Sequence, residues 1–106
     1  MLSAVTGLLA CNSAPKAPPP LNPQQESGRR VFQTNCAICH QAYKKEPLQG
    51  PSLVGVFRKH DLPSGIPATD DHVRETIRSG RRNMPPFDAL LDQKQIDDLL
   101  AFLHTL

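Results

Sequence analysis

Cys36, Ala37, Ile38, Cys39 and His40 set two thiols three residues apart and follow the second with an imidazole. Three chemistries use a Cys-x-x-Cys pair, and each asks for different surroundings. A redox-active dithiol wants a βαβ setting, a zinc site wants a second pair of ligands, and c-type haem attachment wants a histidine directly after the second cysteine. No alternating run of β-branched residues occurs in the chain, and the third cysteine, Cys11, lies in an apolar leader, so only scattered histidines remain as further zinc ligands. Haem attachment is the reading with nothing missing. On one helical turn Cys36 and Cys39 point the same way and bracket one porphyrin edge, and His40 can turn under the ring.

The surrounding chain is short for such a cofactor, and that is informative. At 106 residues it is the size of one domain, and a charge of +2 from 12 basic and 10 acidic residues is too balanced for a nucleic-acid binder. Residues 1–10 are small or apolar and far shorter than the run of about 20 that spans a bilayer. Leu8 to Cys11, LLAC, resembles a lipobox, in which the cysteine is lipidated and becomes the new N-terminus; a start placed too late accounts for the missing basic leader. Residues 11–22 follow with a proline-rich stretch that favours polyproline II, an extended tether reaching on the order of 35 Å. The folded domain is expected over 23–106.

Its elements are legible from their caps. Asn22, Pro23 and Gln25 form a capping-box start to a helix expected to run to about Cys39, with Val31 and Phe32 on its buried side and Gly28 four residues before Phe32. Pro47, Gly50, Pro51, Gly55, Pro63 and Gly65 then mark a long loop with one short helix around Leu53 to Arg58. Thr69 caps a second helix that Gly80 stops. Asp92 and Gln95 cap the last one, Leu91 staples onto Ile96, and Ile96, Leu99, Leu100 and Leu103 make one apolar face. The class is all-α. So few ordered residues, with five aromatics and no Trp, build little core for their size, so a bound group is expected to fill the middle.

From Gly28 onward the chain resembles the class I cytochrome c family. The resemblance is carried by CAICH, by Gly28 and Phe32, by GPSL at Gly50 to Leu53, by NMPPF at Asn83 to Phe87, and by Leu99 with Phe102. It implies the cytochrome c fold, three main helices plus loops wrapped around one covalent haem c with iron. Cys36 and Cys39 would carry the thioether bonds, His40 and Met84 would be the axial ligands, and the Pro51 carbonyl would take the Nδ1 proton of His40. Leu53, Val56, Phe57, Ile77, Phe87 and Leu99 would wall the pocket, Gly28 would let Phe102 and Leu99 approach Phe32, and Arg58 and Tyr43 are candidates to meet a propionate. Of the other histidines, His72 and His104 read as solvated surface and His60 as the least certain.

With both axial positions taken, the iron has no place for a substrate, so the expected activity is one-electron transfer rather than catalysis. Lys44, Lys45, Arg78, Arg81 and Arg82 could form a basic rim for redox partner proteins. The expected location is the periplasm, on a membrane through lipidated Cys11. The alternatives are a haem c subunit of a larger redox complex and a haem peroxidase or gas sensor, for which no distal acid-base pair is visible.

Overall fold

A computed structural model describes Gly7 and residues 19–106. Lipobox Cys11 and most of the expected tether lie outside the described residues. The order is α1 (Pro23–Asn35), a single 3-10 turn (Val56–Arg58), α2 (Asp70–Ser79) and α3 (Gln93–Leu103), and among the described residues the only β-type pairings are two isolated bridges. No helix of the described residues is long and apolar enough to cross a membrane.

Each helix starts where its capping residues put it. In α1 the Asn22 side chain accepts from the Gln25 backbone N–H at 2.8 Å, and the Gln25 side chain accepts from that of Asn22 at 2.9 Å. Asp92 and Gln95 repeat this box at α3, and Thr69 accepts from the His72 N–H at α2. Each such cap satisfies donors that the helix itself cannot, a stabilisation of about 1 kcal/mol. Leu91 and Ile96, the two ends of the staple over α3, are both buried.

α1 ends earlier than expected, at Asn35 instead of Cys39. In its last turn Thr34 Oγ1 and Asn35 Nδ2 donate to the Arg30 and Val31 carbonyls, a side-chain competition that favours termination. The Cys36 and Ala37 N–H groups then share the Phe32 carbonyl, and the Cys36 carbonyl accepts from Cys39 and His40. The motif therefore occupies a separate turn, hung on the end of the helix.

The core lies where α1 crosses α3. Phe102 is fully buried and Leu99 nearly so, with the Phe32 and Phe102 rings 5.5 Å apart and tilted. Gly28 makes the approach possible: a Cβ there would sit 1.9 Å from the Asp98 carbonyl oxygen and 2.9 Å from the Phe102 Cβ. Helix α3 is buried on more than the expected face, since Asp98 is also enclosed, its carboxylate held by Lys94 at 2.8 Å. Helix α2 packs on α3 through Val73 and Ile77.

Candidate functional site

Two loops, one leaving α1 and one leaving α2, hold the residues expected to carry the chemistry. The first begins with the Cys36 to His40 turn. Cys36 is half-buried against the hydrophobic core, and this burial, with the neighbouring Cys39, pushes its thiol up to about 11. Such a thiol stays protonated at neutral pH, the opposite of a nucleophilic dithiol centre. Both cysteines are free thiols, and the Cys39 sulfur rests 3.5 Å from Gln49 Oε1.

The imidazole of His40 is held in one orientation. Its Nδ1 lies 2.8 Å from the Pro51 carbonyl oxygen, which can only accept, so Nδ1 carries the proton and donates. The lone pair then sits on Nε2, which has no hydrogen-bond partner among the described residues. Gly50 presses on the same ring: a Cβ there would meet Cε1 at 2.5 Å and Nδ1 at 2.8 Å. The loop is braced by backbone bonds from Gly50 to Cys39 and from Leu53 to Gln41, and by the Ser52 hydroxyl donating to the Lys44 carbonyl.

The second loop holds Met84. Arg81 and Met84 exchange both backbone hydrogen bonds, at 3.0 and 2.9 Å, closing a tight turn with Arg82 and Asn83 at its tip. Gly80 stops α2 with φ 72°, and a Cβ there would strike the Met84 carbonyl at 2.6 Å and the Pro85–Pro86 backbone at 2.7 and 2.8 Å. Only glycine lets the helix end lie flat on this segment. Bonds from Phe87 to Ile77 and from Asp88 to Arg78 fasten its far end.

The remaining expected site residues fall in place around one apolar body. Val56, Ile77, Phe87 and Leu99 belong to the buried core, and Leu53, Phe57 and Met84 pack against it half-buried, as Cys36 does. Among the described residues no three His, Cys, Asp or Glu side chains converge as a bare ion requires. Two thiols on one turn, an oriented imidazole and a thioether on a second braced loop instead suit a broad, covalently held macrocycle, and the donor set fits haem c.

Other residues make contacts that the sequence reading did not specify. Arg58 Nη1 donates to the Leu106 main-chain oxygen at 2.5 Å, which also accepts from Gly55, so Arg58 ties the 3-10 turn to Leu106 beyond α3. Tyr43 is exposed, its ring edge-on to Phe102. His104 is more than solvated surface: it stacks on Phe57 at 3.7 Å and its Nε2 lies 2.6 Å from Asp70. His60 is exposed against Asp61, and His72 Nδ1 faces the Pro67 carbonyl. The close contacts of Gly50 and Gly80, and the Gln49 contact, escaped the sequence reading, because a glycine's tertiary neighbour leaves no mark in its own segment.

Comparison with known proteins places the chain among cytochromes. The family model described as cytochrome c oxidase, cbb3-type, subunit III matches residues 23–103. A cytochrome c-553-like protein of Synechocystis sp. is 33% identical over 82 residues, covering 76% of this chain and 68% of its own. Cytochrome c6 of Limnospira maxima is 31% identical over 81 residues, covering 73% and 86%, and cytochrome c2 of Rhodopila globiformis is 29% identical over 104, covering 83% and 96%.

Proposed function

Because the chain belongs to the class I c-type cytochromes, small electron carriers with one covalently bound haem c rather than enzymes, we propose that it carries single electrons on a haem held by Cys36, Cys39, His40 and Met84. When bound, haem c supplies a one-electron iron couple. Cys36 and Cys39 provide the thioether sulfurs from one turn. His40 offers Nε2 to the iron, while the Pro51 carbonyl accepts the hydrogen bond from Nδ1–H and makes the ring a stronger donor. Met84 offers a soft neutral sulfur that favours the ferrous state and a high potential. Leu53, Phe57 and Phe87 supply apolar walls. The Nδ1 to Pro51 contact is the observation that carries this assignment, since it fixes the tautomer a metal ligand needs.

The test is an optical and redox titration of the haem-loaded protein. Wild type should show the weak far-red band of a Met-ligated ferric haem. Met84→Ala should lose it and drop in potential by on the order of 100 mV, far inside the span that axial ligands command. An unchanged titration removes Met84 from the iron. Rapid carbon monoxide binding by the ferrous wild type would instead favour a gas sensor or peroxidase.

Export to the periplasm and tethering through lipidated Cys11, with residues 11–22 as spacer, complete the proposal, on the LLAC motif and the proline-rich stretch. Mass spectrometry of the membrane fraction should find the lipid on Cys11. The match to a subunit III model supports a second reading, a haem c subunit docked in a larger redox complex. Co-purification with a stoichiometric partner would favour it over a free carrier.

A further inference from the structure

Of the four histidines, His60 meets its own neighbour Asp61, and His72 Nδ1 donates to the Pro67 carbonyl five residues earlier. His104 reaches much farther. Its Nε2 lies 2.6 Å from the carboxylate of Asp70, 34 residues away, and its ring lies flat on Phe57, with centroids 3.7 Å apart and planes 9° from parallel. Three features hold this ring more firmly when it is charged. The Asp70 oxygen only accepts, so Nε2 carries a proton, and Nδ1, which has no hydrogen-bond partner among the described residues, is open to a second. Two uncharged rings avoid a face-to-face stack with so little offset and settle offset or edge-on at about 4.5–7 Å, whereas a cation is attracted to a ring face. Finally, His104 is the C-cap of α3, whose last turn has no basic residue, and Asp70 opens α2, so each charge complements the partial charge of its own helix end.

We infer that His104 is a proton-operated clamp: charged, it fastens the start of α2 to Phe57 in the 3-10 turn, and neutral, it holds both more loosely. Phe57 packs half-buried against the core, and α2 leads at its far end into the Met84 loop, so the clamp joins two elements that supply residues to the proposed site. Few other charges face it. On the 3-10 side Arg58 is turned to the Leu106 main-chain oxygen, and on α2 and α3 Asp71 and Asp97 are both engaged by Arg74. Asp70 is therefore the carboxylate that answers to its charge. A charge favoured in the fold adds stability on the acid side, and that contribution is lost as pH rises and the imidazole deprotonates.

The experiment follows thermal unfolding of the haem-loaded full chain at about pH 5 and about pH 9, which bracket the range where histidine charge ordinarily changes. His104 and Asp70 are 47% and 53% exposed, so the pair has the scale of a surface ion pair. His104→Gln should therefore unfold about 2–6 °C below wild type on the acid side, and the gap should close by about half or more on the alkaline side. Adding His104→Gln to Asp70→Asn should cost little more than Asp70→Asn alone, because the two act as one unit. His104→Lys, which stays charged throughout, should match wild type on the acid side and show no corresponding loss on the alkaline side. His60→Gln, which removes an exposed imidazole paired only with its neighbour, should leave the wild-type profile unaltered. A gap that is equal at both pH values or wider on the alkaline side, a His104→Lys profile as pH-sensitive as that of wild type, or an equal effect of His60→Gln would each overturn the inference. Unfolding is read without electron transfer, so a failure of the carrier reading in the redox titration is a separate result.

Discussion

Replacing Gly28 by alanine sets two effects of opposite sign against each other. Helix propensity alone favours alanine by about 1 kcal/mol. Packing opposes it. The new methyl would lie 1.9 Å from the Asp98 carbonyl oxygen and 2.5 Å from its carbon, both backbone atoms that no rotamer change can move. An ordinary carbon–oxygen contact is about 3.3 Å, so α1 and α3 must separate by about 1.4 Å at this point. A gap of about 1 Å forfeits up to half of a dispersion well. Phe32, Leu99 and Phe102, at 4%, 1% and 0% exposure, line the crossing, and each contributes about 2 kcal/mol by burial. Losing about half of that costs about 3 kcal/mol, which leaves a net destabilisation of about 2 kcal/mol after propensity is credited. Guanidinium unfolding of the haem-loaded protein, followed by far-UV circular dichroism, should show a lower midpoint at unchanged slope, and the thermal midpoint should fall by roughly 8–16 °C. A midpoint that holds or rises would mean that propensity wins and that the helices do not meet at backbone distance through Gly28.

Two further substitutions test the site and the surface. Gly50→Ala should displace the His40 ring, because its Cβ would lie 2.5 Å from Cε1; with the Nδ1 to Pro51 contact weakened, His40 becomes a poorer donor and the potential should rise, whereas an unchanged potential would refute the positioning role. Glu26 is held below its ordinary value of 4.5 by the hydrogen bond from Arg29. A depressed carboxyl stabilises the fold above its unfolded pKa, and that contribution is lost as pH falls through the folded value. The stability difference between wild type and Glu26→Gln should therefore be constant near neutral pH and shrink as pH falls below 4.5, as read from urea midpoints; a difference that grows toward acid would contradict the Arg29 pairing.

The helices were legible because their signals are local. Asn22 with Gln25, Thr69, and Asp92 with Gln95 each cap their helix through side chains three residues away, and Leu91 with Ile96 are a staple within one segment. The C-terminal boundary of α1 was misjudged because the Phe32 carbonyl accepts two donors and Asn35 bonds back to Val31, a competition that propensity does not resolve. The motif cysteines, His40 and Met84 are assigned from spacing and resemblance. Asp98 was not singled out, since its burial depends on α1 lying across it. Nor was the bond from Arg58 to Leu106, which joins residues 48 apart.

These contacts divide the molecule into a part that holds the fold and a part that holds the proposed donors. The α1–α3 crossing, with Gly28, Phe32, Leu99 and Phe102, touches neither His40 nor Met84 through any hydrogen bond. The proposed donors, His40 and Met84, lie in two loops with glycines at their mouths, Gly50 against the imidazole ring and Gly80 against the Met84 main chain, with backbone bonds closing each loop. A methyl group at the crossing therefore acts on the unfolding midpoint, and a methyl group at Gly50 acts on the donor strength of one nitrogen. The physical cause is the same in both places: backbone atoms, unlike side chains, cannot rotate away from an added carbon. Function and stability are separable here because the tight approaches that set them lie on different elements.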